Sequence, residues 1–267
     1  MNILEIKNLN ISFYQYQKGL KRRRLDVVRD LDLELKQGEI MAIFGASGSG
    51  KSLLAHAILG LLPYNGFYEG EVYYKGEKLD EELLQKVRGR EIFFIPQTIN
   101  SLNPLLKTGI QARMTLKRSD YKRQEEVYES FGLEKEVNKM YPFELSGGMA
   151  RRVLVADAML SSAELIIADE PTPGMDKKAT DEIISYFKEL KASGKTSLII
   201  SHDINMALAV ADRIAVFYDG RIIEVSPVEA FKNGGSMLKN PYSRMLIKAL
   251  PENGLTLLTK EEVEKLC

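Results

Sequence analysis

The sequence predicts an α/β fold: a mainly parallel core sheet with helices on both faces, an N-terminal antiparallel β layer and an inserted α-helical segment. Three observations carry that expectation. Short apolar runs rich in Ile, Val and Phe alternate with segments whose apolar residues recur at helical spacing, the order expected of strand-helix-strand units. The opening portion, up to about Tyr74, reads as hairpins turning at Gly19, Gly66 and Gly76. The stretch Leu105–Tyr141 is polar, charged and helix-prone, and it interrupts the alternation as an inserted subdomain would.

Taken in order, the first expected strand is Leu4–Phe13, where apolar and polar residues alternate with period two. Further strands are expected at Ile40–Phe44, Glu91–Ile95, Leu165–Ala168, Ser197–Ile200 and Arg213–Tyr218. Helices are expected at Lys51–Leu61, Ser146–Leu160, Lys178–Ala192 and Ile204–Ala211, where apolar residues fall three and four apart. No internal repeat or low-complexity segment is present in the sequence.

Composition narrows the function classes. At 267 residues and 45% hydrophobic content the chain can bury a full core without disulfide staples. Lys plus Arg and Asp plus Glu each total 37, so no overall field favours nucleic acid or an anionic membrane. Cys267 is the single cysteine, which excludes an intramolecular disulfide framework and a cysteine-built zinc site and suits a reducing compartment. The start MNILEIKNLNISF lacks the pattern of a signal peptide, and no apolar run reaches the roughly 18 residues that would span a bilayer. The expectation is a chain soluble by itself that can still dock on a membrane-embedded subunit. The basic run Lys18–Leu25 reads as a solvated turn between strands.

Gly45–Ser52, GASGSGKS, satisfies G-x-x-x-x-G-K-[ST] and lies after one expected strand and before an expected helix, where its mechanism requires it. Gly45, Gly48 and Gly50, with Ala46, Ser47 and Ser49 between them, let the backbone wrap phosphate oxygens and aim N–H groups at them. Lys51 is expected to neutralise the β and γ phosphates, and the Ser52 hydroxyl to ligate Mg²⁺. The fold expectation thereby becomes a P-loop NTPase that binds a nucleoside triphosphate with Mg²⁺. This loop alone does not separate kinases, GTPases, helicases and transport ATPases.

The apolar run Leu165–Ala168 ends in Asp169 and Glu170. In P-loop folds a second strand brings an acid to the metal, which suits Asp169. Glu170, one residue on, can accept a hydrogen bond from attacking water as general base. Two buried like charges need cationic compensation, expected from Mg²⁺ and Lys51.

Leu145–Arg152, LSGGMARR, resembles the signature motif of ATP-binding cassette (ABC) proteins, L-S-G-G followed by Gln or, in some branches, Met. The other elements fall in that family's order, and the resemblance covers essentially Met1 to about Leu250. It implies that Phe13 stacks on adenine, that Gln97 is the Q-loop residue touching Mg²⁺, and that Asp176 is the D-loop acid. It further implies that His202, in IISHD, contacts the γ-phosphate and helps order water beside Glu170. Ser146, Gly147 and Gly148 open a helix whose hydroxyl, N–H groups and dipole suit an anion. By resemblance that anion is the γ-phosphate on a second, head-to-tail ATPase subunit. The implied organisation is one ABC ATPase domain over 1–267: a RecA-like core with β layer over about 1–96 and 160–230, a helical subdomain over about 97–159 and a C-terminal tail over 231–267.

Two stretches resemble one branch, the ATPases of oligopeptide and nickel importers: PQTINSLNP at Pro96–Pro104 and NPYSRMLIKALP at Asn240–Pro251. Met149 after the double glycine suits the same branch. Many peptide-type members continue into a cysteine-bearing tail. The shorter chain tilts the reading slightly towards nickel or metal-chelate members, although truncation of such a tail is equally cheap. The expected function is therefore an ATP-hydrolysing importer subunit taking up peptides or nickel chelates, at the cytoplasmic face of the membrane. Its implied partners are two transmembrane permease subunits, an extracellular or periplasmic substrate-binding protein, and a second ATPase, either a related chain or another copy. Nucleic acid is not among them. The alternative is a soluble ABC-type ATPase acting on nucleic acid or ribosomes, which would show a heptad insertion, zinc cysteines or two cassettes. Finally, the branch normally reads P-T-T-A-L-D where this chain has Pro171-Thr172-Pro173-Gly174-Met175-Asp176. Pro173 fixes its φ and Gly174 frees its own, so the expectation is a competent site whose backbone path bears on communication between two unequal ATP sites.

Overall fold

In the computed structural model, residues 1–16, 22–98, 101–114, 116–172, 175 and 177–250 are described. The chain begins with strands β1 (Asn2–Tyr16), β2 (Arg22–Lys36) and β3 (Ile40–Gly45), then helix α1 (Lys51–Ile58). Strands β4 (Gly66–Tyr74) and β5 (Glu77–Lys78), helix α2 (Glu81–Val87) and strand β6 (Ile92–Ile95) follow. The inserted region carries α3 (Thr108–Arg113) and α4 (Tyr121–Ser130), and α5 (Gly147–Leu160) leads back to β7 (Leu165–Asp169). The chain continues through α6 (Lys177–Ala192), β8 (Thr196–Ser201), α7 (Ile204–Val210), β9 (Arg213–Tyr218), β10 (Arg221–Pro227) and α8 (Pro241–Lys248).

Two sheets result. One has the order β2-β1-β4-β5 and is antiparallel; the other has the order β10-β9-β3-β8-β7-β6 and is parallel except for β10. The buried strands β3, β7 and β8 show side chains to two cores in alternation. Ile40, Ala42, Ile166, Ala168 and Ile199 face the side covered by α5 and α6, while Met41, Ile43, Leu165, Ile167 and Leu198 face α1 and the antiparallel layer. Burial on both faces explains why these strands read as unbroken apolar runs.

In the antiparallel layer, β2 alternates buried Leu31, Leu33 and Leu35 with exposed Asp32, Glu34 and Lys36, as expected of a sheet with one wet face. Its Val27 touches the core at two glycines. A Cβ on Gly50, at the start of α1, would lie 2.8 Å from Val27 Cγ1, and one on Gly220, in the β9–β10 turn, would lie 2.4 Å from the Val27 carbonyl. The Arg29 N–H also donates to the Gly220 carbonyl at 2.8 Å.

Some expected boundaries differ. Gly66 is not a turn residue: it opens β4 and pairs with Phe13, the turn lying before it, where its N–H bonds the Pro63 carbonyl. Gly76 does turn the chain, at φ 83. Gly19 lies outside the described residues. Helix α1 stops at Ile58 short of Leu61, because Gly60 takes φ 62 and ends the helix in the left-handed region.

The inserted region packs on α5 and α6. Phe131 stacks on Tyr186, and the buried Tyr128 hydroxyl donates to Asp157 Oδ1 of α5 at 2.9 Å. Burial pushes the Asp157 carboxyl up to about 7. The final described helix is docked too: Glu224 of β10 accepts from the N–H groups of Lys239 and Asn240, the Asn240 side chain caps α8, and Ile247 joins the helical-side core.

Candidate active site

The site forms where β3 and β7 deliver their C-terminal ends beside the start of α1. At Gly45 a Cβ would sit 2.3 Å from the Phe217 carbonyl of β9, so the loop can leave β3 there only as glycine. Gly48 and Gly50 take φ 75 and 107, in the left-handed region that glycine adopts without strain. The Ser49 hydroxyl donates back to the Ala46 carbonyl at 2.8 Å, closing the loop on itself. Lys51 is only 4% exposed, and its ammonium donates to the carbonyls of Gly45 and Ala46 at 2.9 and 2.8 Å. Burial lowers its pKa, while the charges of Glu170 and Asp169 act the other way.

Across the loop, Ser52 Oγ donates to Asp169 Oδ1 at 2.9 Å. Burial holds the Asp169 carboxyl above the usual carboxylate range, the Ser52 bond opposes that, and the neighbouring Glu170 adds to it. A hydroxyl and a carboxylate within one hydrogen bond form the hard-oxygen pair that suits Mg²⁺, which takes one or two protein oxygens and completes its shell with water and phosphate.

Glu170 adopts φ 48, uncommon for a residue with a Cβ. Its N–H extends the β7–β8 ladder by donating to the Ile200 carbonyl at 2.8 Å. Its carboxylate is buried and accepts from the His202 ring, Nδ1 lying 2.8 Å from Oε2. His202 reaches this position because β8 ends at Ser201 and Asp203 caps α7 through its side chain. A cleft of about 270 Å³ is lined by Ser47, Gly48, Gly50, Lys51, Ser52, Leu53, Gln97 and Glu170.

The loop, Gln97 and Glu170 are thus brought to one cleft, Asp169 is joined to it through Ser52, and His202 through Glu170. Other expected site residues stand apart. Phe13 does not line this cleft; its ring lies against Gly66, where an added Cβ would come within 2.6 Å of Phe13 Cε1. Ser146, Gly147 and Gly148 are exposed at the start of α5 and do not line it either, and the Ser146 hydroxyl accepts from the Met149 N–H at 3.2 Å. Pro173, Gly174 and Asp176 lie outside the described residues.

One residue was missed at the level of sequence. Arg151 of α5 is 8% exposed and donates to two backbone carbonyls, that of Glu170 and, at 2.8 Å, that of Gln97. It lies within the stretch LSGGMARR, three positions after Gly148, but was given no role of its own. The available signal was an arginine within the apolar stretch of a helix expected to pack on the sheet.

Comparisons with known proteins agree with this geometry. The family described as ABC transporter matches residues 28–173. The oligopeptide transport ATP-binding protein OppD of Bacillus subtilis (strain 168) is 38% identical over 93% of this chain and 72% of its own length. The dipeptide transport ATP-binding protein DppD of Lactococcus lactis subsp. cremoris (strain MG1363) is 34% identical over 93% of this chain and 74% of its own. Among solved structures, the dimeric post-hydrolysis state of the ATP-binding cassette MJ0796 bound to ADP and Pi superposes with a TM-score of 0.72 at 30% identity, covering 84% of this chain and 98% of that one.

Proposed function

The chain belongs to the ABC transporter family, and from that premise we propose that it hydrolyses ATP in the cleft beside Gly45–Ser52 with Glu170 as general base, driving peptide import. The observation that carries the chemical part is the placement of Glu170: buried, in the same cleft as Lys51 and Gln97, its carboxylate held by His202. The loop N–H groups and Lys51 bind the β and γ phosphates. Glu170 takes the proton of a water molecule as its oxygen bonds the γ-phosphorus and the bridging oxygen leaves with ADP. His202 keeps the Glu170 carboxylate aimed and itself faces the γ-phosphate. Ser52, Asp169 and Gln97 would hold Mg²⁺, which when bound offsets the phosphate charge. Phe13 stacks on adenine.

The exposed start of α5 serves a second ATPase subunit. There Ser146, Gly147 and Gly148 offer the anion-binding end of a helix of 14 residues to the phosphate held by the partner. Asp176 belongs to the same junction. The subunit pair sits at the cytoplasmic face of the membrane beneath two permease subunits, with a substrate-binding protein outside, in one ATPase domain per chain. No described helix is long and apolar enough to cross a membrane. The relatives' names support peptides as cargo ahead of nickel chelates and lend nothing to a nucleic-acid or ribosome role.

The test is ATP turnover by the chain assembled with its permeases and binding protein, with peptides or nickel chelates added. Stimulation by peptides is expected. Stimulation by nickel chelates alone would overturn the cargo assignment, and absence of ATP turnover would overturn the enzymatic one.

A further inference from the structure

Glu170 is gripped at each of its polar groups. Its N–H is held by the Ile200 carbonyl at 2.8 Å, its carboxylate by His202 at 2.8 Å and its carbonyl by the Arg151 guanidinium. The grip is needed because φ 48 is a conformation that a residue with a Cβ leaves readily unless its surroundings hold it. Arg151 does not serve Glu170 alone, since a second nitrogen of the same rigid fork donates to the Gln97 carbonyl at 2.8 Å. One planar group therefore fixes the spacing between the backbone after β6 and the backbone after β7, the two segments whose side chains line the cleft. Burying a guanidinium is unfavourable, and burial lowers the Arg151 pKa; the two carbonyl bonds and the nearby Glu170 charge act against that cost.

We propose that Arg151 is a positioning residue for hydrolysis: by holding the carbonyls of Glu170 and Gln97 together it sets where the Glu170 carboxylate meets the attacking water. The proposal rests on the reading of Glu170 as general base. Arg151 touches neither nucleotide nor water in this scheme; it acts through the backbone it holds. It also lies five positions beyond the Ser146 cap on the same helix.

The experiment is ATP turnover against ATP concentration by the full chain assembled with its membrane partners. Arg151→Met is expected to lower kcat by about 30-fold with KM for ATP changed less than about twofold, the pattern of a misplaced catalytic group rather than lost binding. Arg151→Lys, which keeps the charge and reaches one carbonyl, should recover part of the loss, leaving kcat about fivefold low. In a Glu170→Gln background, Arg151→Met should add little further loss, because the carboxylate it positions is already gone. Unchanged kcat in Arg151→Met, a raised KM with kcat kept, or the same fold-loss in the Glu170→Gln background would each overturn the proposal. Should Arg151→Met not fold, Arg151→Lys decides: full kcat would sink the proposal, and reduced kcat at normal KM would support it. Normal turnover by Glu170→Gln would instead overturn the underlying role of Glu170, a result separable from slow Glu170→Gln beside normal Arg151→Met.

Discussion

Glycines lead into helix α1 and open helix α5, yet different neighbours surround the two sets. At the phosphate loop the chain itself enforces them: an added Cβ would strike the Phe217 carbonyl at Gly45 and Val27 at Gly50, and Gly48 and Gly50 have positive φ. At α5, a Cβ on Gly147 or Gly148 would meet nothing within 4 Å, and neither residue has positive φ. Folding of this chain requires the first set and has no evident use for the second. The first set is shaped by packing within the chain, whereas nothing within the chain demands the second, as the proposed partner-facing role of α5 would require.

Glu170→Gln should preserve ATP binding and lower kcat by about 10³, on the order of 4 kcal/mol, because it keeps shape and removes the base. Turnover near normal in the assembled transporter would remove Glu170 from the mechanism. Gly45→Ala should destabilise the fold by about 3 kcal/mol through overpacking against β9, whereas Gly148→Ala should leave thermal unfolding unchanged or slightly raised, since alanine is the better helix former. The same Gly148→Ala chain should lose turnover in the assembled pair; retention of full activity would deny α5 its role towards a partner. Lys51→Ala should weaken nucleotide binding by about 2 kcal/mol, roughly 30-fold, as one charge-assisted contact is lost; equal affinity in a titration with labelled ATP would contradict the loop assignment.

The smallest effect concerns the buried side of α5. The Asp157 carboxyl titrates at about 7 in the folded chain, against about 3.9 unfolded. The folded state therefore holds that proton more tightly between the two values. Stability from this group is present below about pH 4 and is lost as pH rises towards 7. Asp157→Asn should flatten that slope and raise stability at pH 8 relative to pH 5. Denaturant melts at pH 5 and pH 8 would check it, and an unaltered slope in the variant would refute it.

The central strands were legible because burial on both faces turns them into short apolar runs bounded by breakers, as in Leu165–Ala168. The loop residues were legible because their spacing is dictated by a phosphate. Strand β2 was implied only as part of a hairpin, although Leu31, Leu33 and Leu35 alternate cleanly, because its first third, Arg22–Asp26, is exposed and carries no apolar pattern. Arg151 escaped for another reason. Its partners are backbone carbonyls 19 and 54 positions away, and a carbonyl leaves no mark in the identity of its residue. Asp157 was more visible, a lone acid inside the apolar run VLVADAML, and its meaning required knowing that Tyr128 faces it.

Val27 gives the antiparallel layer a role in how the chain can vary. One side chain and its carbonyl press on Gly50 and Gly220, so two distant glycines are fitted to a single point on β2. A one-residue slip of β2 against β1 would turn Val27 to the opposite face and withdraw both contacts at once. Insertions or deletions within β2 should therefore be far less tolerated than substitutions along its exposed edge. A library of length variants selected for nucleotide binding would show that intolerance centred on Val27, through its contact with Gly50 of the phosphate loop.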